Sequence, residues 1–282
     1  MIEPVLSDEA LLADIAAANR LDGGFRLWWL GQSGFLLQYQ ESHWLFDPYL
    51  SDSLTAKYAD SDRPHLRMTR CPIAPEKLSM VRVVTSSHHH TDHLDGPTLR
   101  GIIAANEQVR IVAPRAHQHL VSERTGRAVD QIDWIDAHHS LNIDDFRVHA
   151  ITAAHDLPET DVNGQWIHLG YVVRFGPWTV YHSGDCVPHD GLAEQLGEYA
   201  IDVAILPING TAPSRRVSGN FWGDEAAALG KAIGARLVIP CHYQMFSFNS
   251  VTPDAFVRAC HEIGQPYAVL RAGERWDSAN LR

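Results

Sequence analysis

The chain has 282 residues, 45% of them hydrophobic and 20% charged, with 20 Gly and 15 Pro, proportions that exclude fibrous, collagenous and disordered proteins. A formal charge of -11, from 34 acidic against 23 basic residues, repels phosphate backbones and anionic membranes. The expected partner is therefore a small molecule, with no nucleic acid and no membrane. Cys71, Cys186, Cys241 and Cys260 form no CxxC pair, and Glu3, Asp8, Glu9 and Asp14 break any apolar leader. These features predict a reduced, cytoplasmic protein with a single domain over residues 1–282, a homo-oligomer being left open.

In chain order, Ser7-Asp8-Glu9 followed by Leu11, Leu12 and Ile15 predicts a capped helix ending near Asn19, with Asp22-Gly23-Gly24 as its stop. Apolar runs at 25–30, 35–38 and 44–46, separated by turn residues, predict a β-meander. Residues 48–80 lose periodicity and carry Pro64, Pro72 and Pro75, so a long loop with one short helix is expected there. Strands are then predicted at 81–86, 109–113, 146–153, 170–175, 178–182, 203–206 and 237–240. Helices are predicted at 97–106, 114–125, 192–199, 224–233 and 253–263, the first capped by Asp95 with Pro97 in its opening turn. This order, without a linker, implies two packed sheets covered by helices.

One count stands out: 17 histidines. The loop after the 81–86 strand reads His88-His89-His90-Thr91-Asp92-His93, the pattern H-x-H-x-D-H. His155, Asp185 and His242 each follow a separate predicted strand, and strand ends converge at one rim of a sheet. Seven imidazole and carboxylate groups gathered there would be left unpaired or repelling unless cations held them, which a two-metal site provides.

These residues resemble the metal motifs of the metallo-β-lactamase superfamily, over about residues 27–242. Trp28-Trp29-Leu30-Gly31, Tyr181-His182-Ser183-Gly184-Asp185 and Leu237-Val238-Ile239-Pro240-Cys241-His242 look most like its L-ascorbate-6-phosphate lactonase branch. The resemblance implies an α/β fold, a four-layer αββα sandwich of two mixed β-sheets flanked by helices. It implies that His88, His90 and His155 bind one metal, that Asp92, His93 and His242 bind another, and that Asp185 bridges them, with Asp47 orienting a ligand. One or two divalent ions are expected. Imidazole and carboxylate without thiolate suit Zn, Mn or Fe, and the branch tilts the choice towards manganese. The activity expected is a hydrolase, in which a metal-activated hydroxide attacks a lactone or similar ester of a small, sugar-like and in some cases phosphorylated substrate. Asp92 and Asp185 are the residues expected to take part in catalysis. This chain is shorter at both ends than those lactonases and reads differently at Pro207-Ile208-Asn209-Gly210-Thr211.

Substrate contacts are expected from Tyr58 in the long loop and from Asn209, Arg215, Arg216 and Trp222, because guanidinium groups suit phosphate and carboxylate. His182 and His43 are candidate orienting residues. His89, between two ligands, is expected to point away, and His117 and His168 to be packing or solvated. Cys186 and Cys241 read as small buried neighbours of the ligands. A phosphodiesterase of the same superfamily is the alternative, since two cations also clamp displacement at phosphorus. A non-catalytic or redox metal protein ranks below both.

Overall fold

The computed structural model describes residues 1–18 and 23–281. The predicted meander is present as β1 (Phe25–Gly31), β2 (Gly34–Tyr39) and β3 (Ser42–Phe46), paired antiparallel. β4 (Val83–Thr85), β5 (Arg110–Pro114) and β6 (Asp133–Ile135) continue the same sheet in parallel. β7 (Ser140–Ile143), β8 (Phe146–Thr152), β9 (Leu169–Phe175), β10 (Trp178–His182), β11 (Val203–Pro207) and β12 (Leu237–Cys241) form a second mixed sheet, and β13 (Arg275–Asp277) returns to the free edge of β1.

The apolar runs are continuous because both faces of the sheets are covered. Phe25, Leu27 and Trp29 of β1 enter the core between the sheets, where Val148, Tyr171, Val180 and Ile205 of the second sheet meet them. Trp28 and Leu30 face the other way, against α1 (Asp8–Ala18), α3 (Gly96–Ala105) and α4 (Gln118–Thr125) through Leu11, Ile15, Leu99, Ile102 and Val121. The Trp28 indole donates to Asp14 at 2.8 Å, which ties α1 to the sheet. Leu192, Leu196, Ala226, Ala227, Phe256 and Cys260, from α5 (Leu192–Gly197), α6 (Gly223–Ala232) and α7 (Asp254–Ile263), join the core from the outer side of the second sheet. Two mixed β-sheets flanked by helices are thus the architecture.

Asp95 caps α3 as expected, accepting from the Thr98 amide at 3.0 Å. The predicted end of α1 at Asn19 and its stop at Asp22 lie outside the described residues. Three strands were not foreseen: β6, β7 and β13. Each is three or four residues long and stands at a sheet edge, where polar residues replace the apolar run a buried strand needs. The segment 48–80 contains α2 (Ser53–Lys57) and one further helical turn, Pro75–Lys77. No helix among the described residues is long and apolar enough to cross a membrane.

Candidate metal centre

Five strand ends and one hairpin turn deliver side chains to one rim. Asp47 follows β3, the His88 to His93 loop follows β4, and His155, Asp185 and His242 follow β8, β10 and β12. The turn between β1 and β2 adds Gln32. Tight backbone geometry aims several of them. Asp47, His242 and Gln32 have φ of 37°, 62° and 50°, and the His242 amide donates to the Gln32 carbonyl at 3.0 Å. Gly184, immediately before Asp185, has φ 60°, and a Cβ there would stand 2.5 Å from the Ser87 Cβ, so only glycine fits.

Two triads result. His88, His90 and His155 each offer a ring nitrogen, all within 4.8 Å of one another, and Asp92, His93 and His242 offer a second set at the same spacing. Asp185 lies between them. One oxygen is 3.2 Å from His93 Nε2, and the other is 3.3 Å from both His155 Nε2 and His242 Nε2. All seven residues marked by the sequence pattern are therefore brought together. A third grouping, Asp47 with His88 and His93, is already satisfied by hydrogen bonds. His93 Nδ1–H donates to Asp47 at 2.6 Å, and the Ser87 amide and hydroxyl donate to the same carboxylate. Asp47 thus fixes the His93 tautomer and frees Nε2, as a ligand-orienting carboxylate does. His155 is fixed in the same sense, its Nδ1–H donating to the Gly219 carbonyl at 2.5 Å.

The donor set fits divalent ions. Among the described residues, His93 Nε2 and Asp185 Oδ1 are buried without a hydrogen-bond partner although they face each other. The ring nitrogens of His88 and His155 converge on His90 Nδ1 at 3.0 and 3.1 Å, more acceptors than one proton can satisfy. Buried polar atoms left this way cost free energy unless a cation takes their lone pairs. Charge divides the triads. Burial and neighbouring imidazoles push His88 and His90 down, His90 to about 4. Burial also opposes charge on His93 and His242, but Asp185 and Asp92 outweigh it and raise both, His242 to about 9. Desolvation of Asp92 is likewise outweighed, by His93 and His242, and its carboxyl is held below the usual range.

Residues outside the ligand pattern fall less as expected. A cavity of about 370 Å³ opens over Asp92, Asp185 and His242, with Tyr58 and Arg216 in its wall. Arg216 is also paired with Asp62, both side chains being exposed. Arg215, Asn209 and Trp222, expected as substrate contacts, stand outside the lining. Arg215 donates to the Asn209 carbonyl and lies over the Trp222 ring at 5.7 Å, while the Asn209 amide bonds Asn220 and Asn249. They brace one another because the turn at Gly210 packs directly under Trp222. His182 braces the Gly184 turn, accepting from the Gly184 amide at 3.2 Å and stacking on Phe46. His43 is buried within β3, both of its ring nitrogens unpartnered among the described residues. Cys186 and Cys241 are buried thiols, the former pushed up to about 12 by burial, which leaves them protonated and outside the ligand set.

Three features escaped the sequence reading. The Gln32 amide donates to Asp92 at 2.7 Å, a contact announced only by the G-Q-S-G turn. His89 lines the cavity and packs on His117, and His168 is buried against His88 and His155. Arg124 of α4 donates to the carbonyls of His89 and Leu94, 2.8 Å each, and so clamps both ends of the ligand loop.

The fold and this site define the class, and the comparisons place the chain within it. Residues 43–243 match the model of the beta-lactamase superfamily domain, and the chain belongs to that family. A UPF0173 metal-dependent hydrolase of Opitutus terrae is 28% identical over 257 residues, 88% of this chain and 98% of its own. One from Chloroflexus aurantiacus is 31% identical over 219 residues, 72% and 84% of the two chains. The solved isothiocyanate hydrolase from Delia radicum gut bacteria superposes with a TM-score of 0.71 at 19% identity, covering 89% of this chain and 98% of that one; it shares the fold.

Proposed function

We propose that the protein is a metal-dependent hydrolase that opens a lactone or a similar ester of a small substrate. The observation that carries this reading is Asp185, one carboxylate placed within 3.3 Å of imidazoles from both triads. In it, His88, His90 and His155 would hold one ion and Asp92, His93 and His242 a second, with Asp185 within reach of both. Divalent ions bound there would polarise a carbonyl and draw the pKa of water from about 15.7 towards about 7, supplying hydroxide at neutral pH. Imidazole and carboxylate donors suit Mn, Zn or Fe.

The protein's own part is orientation and proton handling. Asp47 and the Gly219 carbonyl hold His93 and His155 in one tautomer, and Gln32 holds Asp92. Asp92 is the more exposed of the two central carboxylates, 17% against 4% for Asp185, and it lines the cavity. It is the group placed to take a proton from the attacking water and return it to the leaving oxygen. Arg215 is engaged outside the lining, and Arg216, in the cavity wall, is paired with the exposed Asp62, so the main support for a sugar phosphate is the branch resemblance.

The test is reconstitution. Protein stripped of metal and reloaded with Mn²⁺, Zn²⁺ or Fe²⁺ is assayed on a lactone panel beside bis(p-nitrophenyl) phosphate. Lactone hydrolysis that returns with metal and is lost in Asp185→Ala is expected. Cleavage of the phosphodiester alone would replace the reading with a phosphodiesterase, and turnover indifferent to metal would remove it.

A further inference from the structure

The segment 48–80 contributes no strand to either sheet, yet it packs against the loop after β12. Tyr49 and Leu54 form a small apolar cluster with Met245 and Phe246, and Tyr58 and Phe248 pack against it, separate from the two large cores. The two loops are zipped together by backbone bonds. Met68 N donates to the Met245 carbonyl at 2.7 Å, Ser247 N to the Leu66 carbonyl at 3.2 Å, and Arg67 bridges Phe246. Arg67 also donates to the carbonyls of Ser51 and Thr69, which holds the start of the segment against its middle.

The product is a wall of rings. Tyr58 and His65 stack with centroids 4.1 Å apart at 15°, and His65 meets Phe246 and Phe248 edge-on at 5.2 and 4.6 Å. All four line the cavity that contains Asp92, Asp185 and His242. His65 Nδ1–H donates to the Arg63 carbonyl at 3.1 Å, and the Thr55 hydroxyl to the His65 carbonyl at 2.8 Å, so the imidazole is held in one tautomer and one orientation. Rings fixed before a ligand arrives lose little freedom on binding, and flat aromatic groups are the partners whose stacked and edge-on geometries such a wall rewards.

We propose that this wall is a ring-binding subsite, that the substrate carries a flat aromatic group next to its scissile ester or lactone, and that His65 and Phe248 determine this preference. The proposal rests on the hydrolytic reading for the word ester but not for the subsite, and two probes separate them. Dihydrocoumarin and δ-valerolactone share a six-membered lactone and differ in the fused ring, which also makes the leaving group a phenol, so binding of the product acids decides the subsite. Their hydrolysis products, 3-(2-hydroxyphenyl)propionate and 5-hydroxypentanoate, report binding without turnover, by calorimetry and by the ring-proton shifts of His65 on metal-loaded protein.

The aromatic lactone is expected to show a KM at least about fivefold lower, and the aromatic acid to bind at least about fivefold tighter. His65→Ala and Phe248→Leu should bring the paired values together, and His65→Phe, which keeps a ring, should retain most of the difference. Should His65→Ala fail to fold, Phe248→Leu and His65→Phe still decide. Equal affinities for the two acids, or a preference that survives His65→Ala and Phe248→Leu, would overturn the subsite while leaving hydrolysis standing. An intact binding preference with neither lactone hydrolysed would overturn the hydrolytic reading and leave the subsite in place.

Discussion

Asp47 touches no cavity residue of the ligand set except through His93, and its effect is expected to be correspondingly specific. Its carboxylate accepts from His93 Nδ1 and from Ser87, so Asp47→Ala should free the imidazole to rotate and weaken metal binding about 10–100-fold. Metal titration with a competing chelator reads this directly, and an affinity within twofold of the parent protein would show that the contact does not orient the ligand. A second expectation concerns pH. In metal-free protein near pH 7, His88 and His90 are neutral, whereas His93 and His242 carry protons against Asp185 and Asp92, His242 up to about pH 9. Metal entering the Asp92, His93 and His242 triad must displace those protons, so its affinity should rise with pH until about 9. His88 and His90, already neutral, should release no proton over the same range. Calorimetry in buffers of different ionisation enthalpy should record more proton release for the ion entering at Asp92, His93 and His242 than for the other; equal release for both would contradict the division. The sign for stability is opposite. Because the His242 pKa is raised, its stabilisation of metal-free protein is complete below about pH 6.5 and fades as pH rises through about 9.

At this scale legibility in the sequence followed the backbone. Ligands placed immediately after strands could be read because strand ends converge by geometry. Asn209, Arg215 and Trp222 stand outside the cavity lining because they sit in a loop whose path depends on Gly210 and on hydrogen bonds between side chains distant in sequence. His65 gave no signal, lying in a stretch without periodicity.

The strands that carry the ligands are short and buried where they approach the rim, and several end in turns that few residues can make. Gly184 is the sharpest case: φ 60° and a backbone pressed against Ser87 leave no room for a methyl group. Gly184→Ala should cost about 2–3 kcal/mol in urea denaturation and displace Asp185 from the triads, lowering metal content with it. Unchanged stability would mean that the turn relaxes without strain. Asp95 works on α3, the helix that follows it, accepting from the Thr98 amide and from Ser53 at 2.7 Å while buried, so Asp95→Ala should cost about 1–2 kcal/mol by the same measurement. The central strands were visible as apolar runs because burial on both faces demands them. β6, β7 and β13 were invisible because an edge strand is specified by its neighbour's open hydrogen bonds rather than by its own composition.

For the molecule as a whole, the acidic balance and the imidazole-rich rim are two sides of one arrangement. The chain carries a formal charge of -11, and two divalent ions would offset part of it at the point where buried carboxylates and imidazoles are concentrated. Metal should therefore stabilise the fold. At a free ion concentration about 100 times Kd each site contributes about 2.7 kcal/mol, which for a chain of this size raises Tm by about 5–10 °C. Chelation should reverse the gain, and a Tm indifferent to metal would show that the triads do not bind it.

The most direct test is anomalous diffraction from metal-loaded crystals, collected across the Mn, Fe and Zn edges. Two peaks about 3.5–4 Å apart, one among His88, His90 and His155 and the other among Asp92, His93 and His242, with Asp185 touching both, are predicted. Absence of anomalous density at this rim, in crystals whose solution metal content is stoichiometric, would contradict the account.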